Sequence, residues 1–229
     1  MARFHFVEDY ERVVRKLVKR YPLDEAMRRA VGGDLEAGGA VERAVVRHAG
    51  LKDGDALIDF GCGAGRLAMA LRAEMRIDYL GIDVVETLLR YARGKCPDYR
   101  FVRNHALSIP APDASADMVS AFSVFTHLLH AETYIYLEDM HRVLRPGGRV
   151  VFSFLEFAKD FHWAVFDDTV TAQKRSTVPH LNQFIERNAI EVWAKRLGYA
   201  SVGFISGEDA PWPDAPALGQ SIAILHKGG

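Results

Sequence analysis

Cysteine is nearly absent: Cys62 and Cys96 are the only two in 229 residues, and neither stands in a C-x-x-C or metal-like spacing. That argues against a disulfide framework and against a cysteine-built metal site, so no metal is expected, and it suits a reducing, cytoplasmic setting. Neither charge dominates. Lys and Arg number 29 against 30 Asp and Glu, a formal net charge of -1, whereas a chain built to hold a nucleic-acid backbone shows a basic excess or a basic stripe. The densest basic stretch, Arg12 to Arg29, is interrupted by acids at helical spacing and reads as a solvated helix face. Long apolar runs are missing too. Nothing approaches the roughly 18 residues of a membrane span, and the N-terminus is charged within ten residues, unlike a secretory leader. Internal repeats and low-complexity tracts are also lacking. What is present is 49% hydrophobic and 26% charged, the balance of a globular protein whose length suits one domain.

Periodicity divides the chain into three parts. Tyr10, Val13, Val14, Leu17 and Val18 predict an amphipathic helix over 8–20, closed by Tyr21-Pro22. Two more helices follow, over about 24–31 and 36–49, stopping at Gly32-Gly33 and Gly50. From 56 onward, short apolar runs (56–60, 79–82, 101–102, 118–122 and 150–154) alternate with helical stretches near 65–74, 85–94 and 131–143. Strand and helix alternating in this way predict parallel strands joined by right-handed crossovers. Runs at 201–206 and 221–226 have only the Pro-rich segment 210–216 between them, which predicts an antiparallel pair at the sheet edge. The fold class is therefore α/β: one domain over 1–229 with a doubly wound, seven-stranded, mostly parallel sheet and one antiparallel edge strand. Residues 1–50 form an N-terminal helical cover, and 155–180 form an insertion after the fifth strand.

The strongest local signal is Leu57-Ile-Asp-Phe-Gly-Cys-Gly-Ala-Gly-Arg66. An apolar strand ends near an acid, Asp59; three alternating glycines (Gly61, Gly63 and Gly65) enclose Cys62, and a helix begins. Glycines let the backbone turn sharply and approach a ligand, at a helix N-terminus that offers N–H groups. The spacing is G-x-G-x-G, not the G-x-G-x-x-G of dinucleotide binders. Asp59 would repel a pyrophosphate but suits a ligand bearing an ammonium and a sulfonium. The second strand ends in Asp83, an acid placed either to accept from ribose hydroxyls or to cap the next helix.

These motifs, in this order, resemble the class I S-adenosylmethionine-dependent methyltransferase family over about 56–155. Ala106-Leu-Ser-Ile-Pro110, Pro112-Asp-Ala-Ser-Ala-Asp117, Ser123-Val-Phe-Thr-His-Leu128 and Leu144-Arg-Pro-Gly-Gly148 extend the likeness. The resemblance implies the family's Rossmann-like fold and S-adenosyl-L-methionine as cofactor, with S-adenosyl-L-homocysteine as product. It places the methionine portion at Asp59 and the backbone of Gly61 and Gly63, within the loop that includes Cys62 and Gly65. It places the ribose at Asp83, the adenine against Val84 and the backbone near Ala106, and the sulfonium beside Ser123. One departure stands out: where the family commonly has an acid before that alanine, this chain has Asn104 and His105.

Methyl transfer is an in-line displacement from an already activated donor, so alignment carries most of the rate and a base assists where the acceptor must lose a proton. Candidate bases or acceptor contacts are His127 after the fourth strand, His162 and His180 in the insertion, and Glu156 at the tip of the fifth strand; each also has a purely structural reading. Phe154, Phe157, Phe161, Trp163 and Phe166, with Tyr10 and Tyr21, offer an apolar acceptor pocket or simply core. The function expected is methyl transfer to an O, N or C nucleophile of a small molecule, with a protein acceptor left open, nucleic acid and membrane disfavoured, and no oligomeric state read. The rivals are a non-catalytic cofactor-binding domain, an aminopropyl transferase on the same fold, and a nicotinamide dehydrogenase, the last disfavoured by the glycine spacing and Asp59.

Overall fold

The computed structural model describes residues 5–175 and 182–229. Three helices lead the chain: α1 (His5–Arg20), α2 (Leu23–Ala30) and α3 (Leu35–His48). Then come β1 (Ala56–Phe60), α4 (Arg66–Arg72), β2 (Asp78–Asp83), α5 (Glu86–Lys95), β3 (Arg100–Arg103), β4 (Ala116–Ala121), α6 (His130–Val143) and β5 (Leu144–Phe154). The chain closes with α7 (Asp160–Lys174), α8 (Arg187–Leu197), β6 (Tyr199–Ile205) and β7 (Ser221–Lys227).

The strands form one seven-stranded sheet in the order β3-β2-β1-β4-β5-β7-β6. β1 is interior and parallel to both neighbours, Ile58 lying between Leu80 and Val119. Strands buried on both faces need apolar side chains throughout, which is why the runs at β1, β2 and β4 read as nearly continuous. The expected antiparallel edge is a pair: β7 runs against both β5 and β6, and β6 closes the sheet. One layer of core, with Ile58, Leu137, Met140 and Ile190, packs the sheet against α6 and α8. The opposite layer, with Leu57, Leu67, Leu71 and Leu89, packs it against α3, α4 and α5. Val14, Met27 and Leu35 of the N-terminal helices pack on Val85, Leu88 and Tyr91 of the β2–α5 region.

Two sequence expectations change. The fifth strand starts at Leu144, six residues earlier than its apolar run, because Leu144 already pairs with Ala116 across a register shift. The stretch after β5, read as a long connection, contains the fifteen-residue helix α7. Its aromatics are spread round the helix, so no single apolar stripe announces it.

Strand order reverses between β1 and β4, and at such a switch point the loops leaving the carboxyl ends diverge and open a crevice. The glycine loop after β1 and the Phe122–Leu128 turn after β4 meet there.

Candidate active site

A cavity of about 620 Å³ opens at this switch point, within the range of small-molecule and cofactor sites. One wall is the β1 and β2 ends: Asp59, Phe60, Gly61, Cys62, Gly63, Ile82, Asp83 and Val84. Asn104 comes from after β3, Phe122, Ser123, Val124, His127 and Leu128 from after β4, and Tyr136 from α6. The N-terminal cover adds Tyr10, residues 30–34 and Ala37, Gly38, Val41 and Glu42 of α3, while Leu218 and Gln220 precede β7.

The glycine loop is folded onto β2. Gly61 and Cys62 donate their N–H groups to the Ile82 carbonyl at 2.7 and 3.0 Å, and Gly65 donates to Cys62 at 2.9 Å. Gly63 donates to Asp83 Oδ2 at 2.9 Å. The loop thus spends these N–H groups internally instead of presenting them to a ligand, and a phosphate would find few donors there. Space is what the glycines supply: Gly61 has φ +76°, and a Cβ on it would sit 2.3 Å from Val124 Cγ2. Gly65 does not line the cavity; a Cβ there would stand 2.9 Å from Ala92 Cβ, so this glycine lets α4 approach α5.

Three buried carboxylates gather on the floor. Asp59 is held by Tyr79 Oη, donating at 2.5 Å to Oδ2, and by Ser120 Oγ, donating at 2.9 Å to Oδ1. The register sets this up, because Ser120 lies directly beside Asp59 on β4. Burial, and then the Glu42 charge, push Asp59 up to about 7 against those hydrogen bonds. Asp83 ties two backbone segments together, which bears on the helix-start role considered for it and not on the ribose role. Its Oδ1 accepts from the Val85 N–H at 2.9 Å, capping α5, while Oδ2 holds the glycine loop. Burial raises its pKa although the Val85, Gly63 and Val84 amides pull it down. A carboxylate has about four lone-pair sites, so acceptor capacity remains on the cavity side. Glu42 is the third acid, 3% exposed and paired with Arg66.

The adenine-side candidates divide. Val84 and Asn104 line the cavity, whereas His105 and Ala106 are exposed and outside it. Asn104 braces its own turn, donating from Nδ2 to the Ala106 and Ser108 carbonyls and accepting the Ala106 N–H. His105 Nε2 meets the Val84 carbonyl at 3.1 Å. Ser123 lines the cavity with φ +56°, a left-handed conformation unusual for serine. Its N–H donates to Ser153 Oγ at 2.7 Å, and Ser153 Oγ donates to Gln220 Oε1 at 2.7 Å, tying three segments at the point where β4 ends.

Of the three candidate bases among the described residues, only His127 lines the cavity, on the short 3-10 turn Phe125–His127. Glu156 lies elsewhere, 1% exposed, with Arg187 donating to both its oxygens and Ser221 Oγ to Oε1 at 2.5 Å. Burial would raise its pKa, but Arg187 and Ser221 outweigh burial and lower it. His162 is also buried, its Nδ1 accepting the Glu156 N–H at 3.0 Å, and it stands outside the cavity. His180 lies outside the described residues. No described residue of the 155–180 insertion lines the cavity. Phe157 stacks on Phe184 with centroids 4.4 Å apart and meets Trp163 and Phe166, so these rings pack on one another instead of lining an acceptor site. Cys62 is buried, and burial foremost, then Asp83 and Asp59, drive its thiol well up, which leaves it unreactive.

Glu42 and Arg66 escaped the sequence reading. Glu42 sits seven residues after Leu35 and four before Val46, on the buried stripe of α3. A lone acid on an apolar stripe is the signal that marks it.

Seven strands in this order, with a crevice at the switch point lined by three buried acids, define a doubly wound α/β class, and the comparisons agree on that fold. The family model described as "Methyltransferase domain" matches residues 58–152. A 27-O-demethylrifamycin SV methyltransferase of Amycolatopsis mediterranei is 33% identical over 44% of this chain and 38% of its own length. A malonyl-[acyl-carrier protein] O-methyltransferase of Methylococcus capsulatus is 27% identical over 77% of this chain and 60% of its own. The chain thus spans less than two thirds of these relatives. Among solved structures, a methyltransferase of Haloferax volcanii, in complex with the Trm112 methyltransferase activator, covers both chains fully at TM-score 0.69 and 16% identity. A Haemonchus contortus phosphoethanolamine N-methyltransferase 2 with S-adenosyl-L-methionine covers 94% of this chain and 60% of its own at TM-score 0.65 and 16% identity. The structure therefore has the fold of the class I S-adenosylmethionine-dependent methyltransferases, and residues 58–152 match the methyltransferase-domain family model.

Proposed function

We propose that this chain transfers the methyl group of S-adenosyl-L-methionine to a small-molecule acceptor. The observation that carries the reading is the cavity floor: buried Asp59, Glu42 and Asp83 beside a loop whose three glycine amides are already bonded. Such a floor favours a cationic ligand and disfavours a pyrophosphate, and the bound cofactor would supply a methyl group activated by its sulfonium charge. Asp83 would hold the ribose hydroxyls, each such bond to a charged acceptor contributing about 1.5–3 kcal/mol. Val84 and Asn104 would bound the adenine. Ser123, His127 and Gln220 would face the reacting end, with His127 taking the acceptor's proton where one must leave. The relative named for rifamycin supports a small acceptor, the one named for malonyl-[acyl-carrier protein] has its acceptor on a carrier protein, and both names specify oxygen.

Calorimetry tests this directly with S-adenosyl-L-methionine, S-adenosyl-L-homocysteine and a nicotinamide dinucleotide. Micromolar binding of the first two, weakened at least about tenfold in Asp83→Ala, is the expected result. A folded protein that binds neither, or only the dinucleotide, would refute the reading. Once an acceptor is found by screening for S-adenosyl-L-homocysteine formation, His127→Asn is expected to lower kcat by roughly 10²-fold if the acceptor must lose a proton, with cofactor affinity unchanged.

A further inference from the structure

We infer that Glu42 of α3 and Arg66 of α4, together with Asp59, form the subsite that reads the amino-acid end of the cofactor, so that the N-terminal cover is part of the cofactor site. This rests on the cofactor assignment above. All three side chains line the cavity. Glu42 and Asp59 are each 3% exposed, so neither carboxylate is a solvated surface charge.

The hydrogen bonding is incomplete in a way that suits a zwitterion. Arg66 directs both Nε (2.6 Å) and Nη2 at a single oxygen of Glu42, Oε1. Among the described residues Oε2 of Glu42 takes no hydrogen bond. Arg66 Nη1 makes only a long 3.4 Å contact with the Val31 carbonyl. A guanidinium has five N–H donors, so two remain for a carboxylate, while Oε2 and the cavity side of Asp59 remain for an ammonium. Charge agrees as well. With Asp59 ionised, two carboxylates and one guanidinium leave one net negative charge in this subsite, matching an amino-acid end of zero net charge plus one sulfonium.

The backbone is arranged to bring the pair together. A Cβ at Gly39 would stand 2.4 Å from the Arg66 carbonyl, and one at Gly38 would stand 3.4 Å from Arg66 Cδ. Only glycine allows α3 to lie this close over the first turn of α4, and that approach sets Glu42 beside Arg66.

The probes are S-adenosyl-L-homocysteine and 5′-methylthioadenosine, which shares the adenosine thioether but lacks the amino-acid end. The wild-type protein is expected to prefer the former by at least about a hundredfold, two charge-assisted contacts' worth of discrimination. Glu42→Gln and Arg66→Met should each weaken S-adenosyl-L-homocysteine about tenfold or more while changing 5′-methylthioadenosine less than about threefold. Because each single change leaves a buried partner unpaired, the double variant E42Q/R66M, which removes both charges together, guards against simple unfolding. A wild-type preference that survives in the double variant, or equal loss of both ligands in a folded variant, would overturn the inference. Failure of the wild type to bind either ligand would overturn the cofactor assignment itself.

Discussion

At the scale of one residue, Asp59 shows how a buried carboxylate is held at the end of an apolar strand. Tyr79 and Ser120 satisfy its oxygens, yet burial and the neighbouring Glu42 hold its pKa at about 7. In the unfolded chain the same carboxyl titrates near ~4. Between those values the folded state binds the extra proton, so stability is greatest below the window and declines as pH rises through it, leaving a fixed deficit above. Glu42 and Asp83 are raised as well and act in the same direction. The expected outcome is that Asp59→Asn gains on the ligand-free wild type, by roughly 1–3 kcal/mol, between about pH 5 and pH 8. Urea unfolding at the two pH values measures this; an equal difference at both would show that Asp59 is already ionised when buried. The same sign makes cofactor binding pH-dependent. Pairing with an ammonium needs the ionised form, so affinity for S-adenosyl-L-homocysteine should strengthen from about pH 6 to pH 8 and lose that slope in Asp59→Asn.

At the scale of the element, two helix glycines make opposite predictions from the same chemistry. Gly94 in α5 has nothing within 4 Å of an added Cβ, so Gly94→Ala is expected to stabilise by about 0.5–1 kcal/mol through helix propensity alone. Gly39 in α3 has the Arg66 carbonyl at 2.4 Å, and overpacking there costs about 1–3 kcal/mol, more than propensity returns. Gly39→Ala should therefore lower the unfolding midpoint and, by lifting Glu42 from Arg66, weaken S-adenosyl-L-homocysteine. Stabilisation by both substitutions would refute the close approach of α3 to α4. These elements also show what a sequence can and cannot disclose. β1, β2 and β4 were legible because strands buried on both faces need unbroken apolar runs, and Asp83 was legible because it ends one. Glu42 and Arg66 were hidden, since apolar periodicity counts what is greasy and passes over a charge on the buried stripe. α7 was hidden because its rings point several ways, and only the fold shows them packing on Phe184. The histidines illustrate a third gap: His127 and His162 look alike as loop histidines, and only the strand ends decide which one faces the crevice.

At the scale of the whole molecule, the sheet keeps its binding and its bracing at separate places along the same carboxyl-terminal edge. The crevice forms where β1 and β4 part company. One strand further on, Glu156 after β5 is clamped by Arg187 of α8 and Ser221 of β7, fastening the last helix and the reversed strand to the parallel core. A candidate acid for catalysis is thereby a strut. Its 2% side-chain exposure means that removing the guanidinium leaves a buried charge with only a hydroxyl for company, a change that typically costs about 3–5 kcal/mol. Arg187 is itself 35% exposed, so water can reach the vacated side and the lower end of that range, roughly 3 kcal/mol, is expected for Arg187→Ala. Substituting Glu156→Gln together with Arg187→Met should restore much of that loss, because no unpaired charge remains. Neither variant should change affinity for S-adenosyl-L-homocysteine, since none of these side chains lines the cavity. Denaturant unfolding and calorimetry on the same samples separate the two quantities. A folded Arg187→Ala protein with wild-type stability and lost ligand affinity would return Glu156 to the active site; lost stability with intact affinity would fix it as the tie between the core and the carboxyl-terminal strands.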